Sequence, residues 1–190
     1  MSILLNSLQQ LKKTSKLCEL SLEHPEDFIF CKIVDFNEDL TLVKRILSDS
    51  GESDGHSLIF TDNICNLGWE GELLIQLEIL VNERSKDDKI NLDKIANINI
   101  NNHFFKIIRT INSFFGHISV YESATSDDFY FGQVKDIDEE YILMKLMGDK
   151  AIMDDKSLVL RLEDIGRIDF GGIYDENLLR LHQIKKKMGK

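Results

Sequence analysis

The chain has 190 residues, 43% of them hydrophobic and 29% charged, with a net charge of −10 and a sequence pI near 5.0. This balance belongs to globular proteins; no run reaches the roughly 20 apolar residues of a membrane-spanning helix. An acidic surface repels a phosphate backbone, and the three cysteines, Cys18, Cys31 and Cys65, lack the CxxC spacing of a zinc site. They are expected to be buried thiols.

Leu4, Leu8 and Leu11 recur at helical spacing and predict an opening helix. Met1 to Leu5 has no basic region or long apolar core, so no secretory signal is expected and residence in the cytoplasm is the default. Leu20 and Leu22 alternate with polar residues as a first strand, and Phe28 to Val34 follows as a long one rich in aromatic and β-branched residues. An acidic turn at Asp35 to Asp39 leads to a third strand, Leu40 to Leu47. A loop at Ser48 to Gly55 precedes strands at Ser57 to Phe60 and Ile64 to Trp69. Leu73, Leu74, Leu77, Leu80 and Val81 predict a closing helix. Arg84 to Asn91 is charged and polar and marks the best linker.

The same series then recurs. Phe104, Ile107, Ile108, Ile111, Phe114 and Phe115 form a helical stripe, followed by strand signals at Ile118 to Tyr121, Phe129 to Val134, Tyr141 to Met147, Ser157 to Leu162 and Ile165 to Phe170. Tyr174, Leu178, Leu181 and Ile184 predict a second closing helix, with Lys185, Lys186 and Lys187 at its C-terminal end complementing the dipole. The recurrence has an offset of 101 residues. Asp27, Phe28, Phe30, Asp35 and Glu38 match Asp128, Phe129, Phe131, Asp136 and Glu139; Leu42, Lys44, Asp54 and Ile64 match Leu143, Lys145, Asp155 and Ile165. Residues 27–83 carry a net charge of −9 and residues 128–184 one of −6. The expected organisation is a first module at 1–85, a linker at 86–102 and a second module at 103–190, each helix, five strands, helix.

The turn between the second and third strands resembles the first signature of the Sm-like family: a glycine, apolar residues two and five positions on, then an acid and an apolar run. Gly132, Val134, Ile137, Asp138, Tyr141, Ile142, Leu143 and Met144 fit it, and Cys31, Ile33, Phe36, Asn37, Leu40, Thr41 and Leu42 fit with cysteine in place of glycine. The resemblance implies a mainly β, α+β chain of two tandem Sm-like small bent barrels. Ile142 and Thr41 stand where many RNA-binding members have asparagine, and Glu163-Asp164-Ile165 and Asp62-Asn63-Ile64 replace the second signature.

The histidines His24, His56, His103, His117 and His182 lack ligand spacing, and there is no GxSxG elbow or phosphate loop. No catalytic, cofactor or metal residues are assigned, and no enzyme activity is expected. Trp69 and Phe170, equivalent aromatics, and Asp54 and Asp155, equivalent acids, are the candidates for contact with a partner. Arg161, Arg167 and Arg180 are expected to pair with acids of their own module or of the first. These features point to a non-catalytic interaction protein that binds a protein partner or itself. The alternatives are a divergent Sm-like RNA-binding protein and an acidic immunity-type inhibitor covering a nuclease toxin.

Overall fold

The computed structural model describes residues 2–22, 28–84, 94–123, 129–147 and 153–188, with backbone alone at 153–155 and 186. The linker signal from residue 85 onward, Asp128, His24 and residues 148–152 lie outside the described residues.

Helix α1 (Ile3–Thr14) starts where the Ser2 hydroxyl accepts the Leu5 amide at 3.2 Å and stops at Ser15, which adopts a left-handed conformation. Strands β1 (Leu17–Leu22), β2 (Phe28–Phe36), β3 (Leu40–Ile46), β4 (Ser53–Phe60) and β5 (Ile64–Gly68) follow, then α2 (Glu72–Arg84). The second half supplies α3 (Phe104–Phe115), β6 (Ile118–Tyr121), β7 (Tyr130–Ile137), β8 (Tyr141–Met147), β9 (Met153–Arg161), β10 (Arg167–Phe170) and α4 (Ile173–Lys187).

All ten strands join one antiparallel sheet in the order β5-β1-β2-β3-β4-β10-β6-β7-β8-β9. Each half therefore contributes five strands in the same internal order, fifth-first-second-third-fourth. Neither half closes on itself, because β4 pairs with β10 of the other half and not with β5. The sheet is open and runs unbroken across the chain.

Local chemistry repeats at the 101-residue offset. The ladder slips between Ile33 and Asp35 and between Val134 and Asp136, and again between Lys44 and Ile46 and between Lys145 and Met147. Such bulges bend a strand and sharpen its twist. Between the bulged strands, Asn37 Oδ1 accepts the amides of Asp39 and Leu40, and Asp138 Oδ1 accepts those of Glu140 and Tyr141. The acid of the signature is thus a turn cap. These two backbone bonds hold the Asp138 carboxyl below its ordinary pKa. Gly132 is required by crowding: a Cβ there would strike the Lys145 carbonyl oxygen on β8.

The largest core cluster crosses the junction. Leu40, Leu42 and Leu58 of the first half pack with Ile107, Ile108 and Ile111 of α3 and with Ile168 and Phe170 of β10. Within the stretch 86–102, the described part buries Ile95, Ile98 and Ile100 in this same cluster. A second cluster seats Leu8 and Leu11 of α1 on β1 and β2. Helix α2 presents Leu74, Leu77 and Val81 inward, three and four residues apart. The predicted face was wider: Leu73 and Leu80 stand exposed, together with Ile75 and Ile79.

Cys18 and Cys31 are buried cross-strand neighbours with sulfurs 3.7 Å apart, whereas Cys65 is exposed on β5. Burial, then the neighbouring Cys18, push the Cys31 thiol pKa well up, which suppresses the reactive thiolate. No helix among the described residues is long and apolar enough to cross a membrane, which says nothing of a β-barrel.

Candidate functional site

Two features of the sheet stand out: the seam where β4 meets β10, and the two outer strands. At the seam the register sets Arg167 opposite Ile59, Ile168 opposite Leu58, Asp169 opposite Ser57 and Phe170 opposite His56. Asp169 is 1% exposed. Its carboxylate accepts the Ser57 hydroxyl at 2.6 Å and the Arg45 guanidinium at 2.7 Å, and Arg167 Nε lies 3.3 Å away. Arg45 also reaches Asp54, donating to its backbone carbonyl from Nε and Nη2 and pairing with its carboxylate at 3.0 Å. Burial alone would lower the Arg45 pKa, but Asp169 and Asp54 outweigh it and hold it above the ordinary value. The grip on Asp54 places it in strand β4, in a stretch that its Ser, Gly and Asp residues predict to be loop.

Asp54 is shared by both halves, since its Oδ1 also accepts the Ile173 amide at the start of α4. A carboxylate at a helix N-terminus satisfies an orphan N–H and meets the positive end of the dipole. Gly55 allows this approach. Its φ is +79°, and a Cβ there would lie 2.5 Å from both the Gly172 nitrogen and the Phe170 oxygen.

Above the seam lies a recess of about 320 Å³. Asp169 and Asp175 form its acidic side with Arg45 and Asp54 beside them, and Tyr121, Phe129 and Tyr174 line the rest. Asp175 is 6% exposed and accepts the Ser119 hydroxyl at 3.2 Å. Burial pushes its pKa up to about 6, against the pull of Ser119, Arg45 and the Gly172 amide. Burial and then Asp169 push Tyr121 up to about 12, against the opposing effect of Arg167, whose guanidinium sits 3.8 Å over its ring. A second recess of about 340 Å³ is lined by Glu139, Glu140, Glu163, Tyr141, Leu162 and Arg161, with Arg161 held by Glu163 at 2.5 Å. Among the described residues no group of three His, Cys, Asp or Glu is placed to hold a metal.

The four residues singled out from sequence divide between seam and edges. Phe170 is wholly buried at the seam, 4.9 Å from Phe115 and 5.6 Å from His56, and Asp54 bridges the halves. Trp69 follows the outer strand β5 and packs, half-buried, on the first core. Asp155 lies in the outer strand β9, and its side chain is outside the described residues. Sequence reasoning missed Arg45, Ser57 and Asp169. Their equivalents at the offset are Leu146, Leu158 and Gly68, so a search for repeated residues passes over them.

The outer strands carry the equivalents of the seam. Leu58, 1% exposed beneath β10, corresponds to Val159 on β9, 59% exposed; Ile168, buried, corresponds to Leu67 on β5, half-buried. No family model, curated protein or solved structure matches the chain.

Proposed function

We propose that this is a non-catalytic interaction protein made of two copies of one Sm-like small-barrel module, and that it works by joining copies of itself head to tail. One observation carries the reading. The fourth strand of the first module, β4, pairs with the fifth strand of the second, β10, while the equivalents of these two strands, β9 and β5, end the sheet. Each copy thus has one edge of each kind. Their union repeats the seam, and a heterologous contact of this sort generates a ring or a filament. It also covers two strand edges that otherwise present unpaired N–H and C=O groups.

The offset fixes the register of the union: Val159 of one copy opposite Leu67 of the next, Leu160 opposite Asn66, Ser157 opposite Trp69. Asp155 then takes the place of Asp54 at the start of α2 of the next copy. So Trp69 and Asp155, which belong to opposite edges of one chain, come to the same union between chains. The lock of Arg45 and Asp169 has no counterpart there, since Leu146 and Gly68 occupy those places. The union between copies is therefore weaker than the seam and depends on concentration. Glu139, Glu140 and Glu163 at the second recess favour a protein over a nucleic acid as what the assembly meets.

Sedimentation or light scattering over a wide concentration range tests this. The mass rises above one chain with concentration, and Val159→Asp, which puts a charge opposite Leu67, returns it to one chain. A single-chain mass at every concentration overturns the reading, as does an unaltered assembly of the variant.

A further inference from the structure

The geometry points to the recess over the seam as a binding site for one basic side chain, lysine or arginine, presented by a protein partner. The site is separate from the sheet edges and does not depend on their pairing. Its chemistry favours a cation. Three carboxylates, Asp54, Asp169 and Asp175, line it with the guanidinium of Arg45, and Arg167 stands over Tyr121 beside Asp169, so the acids exceed the cations by one charge and a cation is favoured over an anion. Asp169 is already saturated by Ser57, Arg45 and Arg167. Asp175 is held by a hydroxyl and a backbone amide, and Arg45, the cation that acts on it, is already paired with Asp54 and Asp169. A neutral apolar group seated beside it would leave a buried carboxyl facing hydrocarbon, whereas a cation gives it a partner.

The walls suit the same ligand. Tyr121, Phe129 and Tyr174 form a continuous aromatic run, with centroids 5.3 Å and 6.1 Å apart and the outer pair edge-on at 86°. Phe129 and Tyr174 are 36% and 51% exposed. Aromatic faces attract ammonium and guanidinium groups within about 6 Å. The chain already shows this preference at the same seam: Arg167 lies on the ring of Tyr121, and Arg45 sits between two aspartates. About 320 Å³ accommodates one long side chain and is at the small end for a free ligand. A net charge of −10 draws in a basic partner.

The test is an NMR titration of the full chain with Nα-acetyl-lysine methylamide and Nα-acetyl-arginine methylamide, with the neutral norleucine analogue and ethylammonium at matched ionic strength. The lysine or arginine derivative shifts resonances of Tyr121, Phe129, Tyr174 and Asp175 saturably, and norleucine does not. Tyr174→Ala, at a half-exposed position that the fold tolerates, weakens binding about tenfold. Equal binding of norleucine overturns the cation reading. Ethylammonium binding as tightly as the lysine derivative overturns the assignment to a protein side chain. Shifts that survive Tyr174→Ala unchanged, or no saturable shifts at all, overturn the site.

Discussion

Arg45 is the residue on which the seam most depends, and Arg45→Met tests this. The substitution keeps the aliphatic stem and removes a guanidinium that meets Asp169 at 2.7 Å and Asp54 at 3.0 Å. Asp169 is then left 1% exposed with the Ser57 hydroxyl and Arg167, 3.3 Å away. Opposite charges about 4 Å apart interact by about 4 kcal/mol at an effective dielectric of 20. Breaking a buried pair by removing one partner costs about 3–5 kcal/mol. Because Arg167 remains, about 3 kcal/mol is expected. Asp169→Asn keeps an acceptor for Ser57 and leaves Arg45 on Asp54, so about 1–2 kcal/mol is expected. The double variant loses one pair only once and falls about 2 kcal/mol short of the sum of the singles. Urea unfolding followed by far-ultraviolet circular dichroism and by Trp69 fluorescence measures all four corners. Single losses that add within about 0.5 kcal/mol, or an Arg45→Met loss below that, would refute the lock.

Asp175 gives a pH test. Its carboxyl titrates near 6 in the fold and near 4 in the unfolded chain, so its stabilising contribution is full below about pH 4 and lost as pH rises through 6. At pH 7 its burial costs on the order of 2–3 kcal/mol. Asp175→Asn should therefore gain stability relative to the natural chain between pH 4 and 7.5, and a difference that does not change with pH contradicts the burial argument. Gly55→Ala and Gly116→Ala separate backbone conformation from contact between the halves. Both glycines have φ near +80°, but a Cβ at Gly116 meets nothing within 4 Å, whereas one at Gly55 strikes Phe170 and Gly172. Thermal unfolding should give a loss of about 1 kcal/mol at Gly116 and about 3 kcal/mol or more at Gly55; equal losses would remove Gly55 from the seam.

Much of the fold is legible in the residues because local chemistry dictates it. The stripe of Ile107, Ile108 and Ile111 becomes the buried face of α3, and the aromatic and β-branched runs become β2 and β7. Asn37 and Asp138 cap the turns where an acid or amide is expected. The start of β4 is less visible. Ser53, Asp54 and Gly55 favour a loop, and a contact from the Arg45 side chain on the neighbouring strand draws them into the sheet. The seam is hardest to read. Repetition exposes what the halves share, while the seam is made of what they do not: Arg45 against Leu146, Asp169 against Gly68, Ser57 against Leu158. Asp54 and Phe170 are the shared part, and they belong to the seam only because of those unshared neighbours.

Complementarity of the two outer edges is best measured by mixing two variants. Val159→Asp spoils β9 and leaves β5 intact, and Leu67→Asp does the reverse. Each alone should sediment as a single chain, with circular dichroism confirming that it is folded. Mixed in equal amounts, they should form a discrete 1:1 dimer and nothing larger, because one sound edge of each kind remains in the pair. A mixture in which both stay single chains would contradict head-to-tail joining of the two edges.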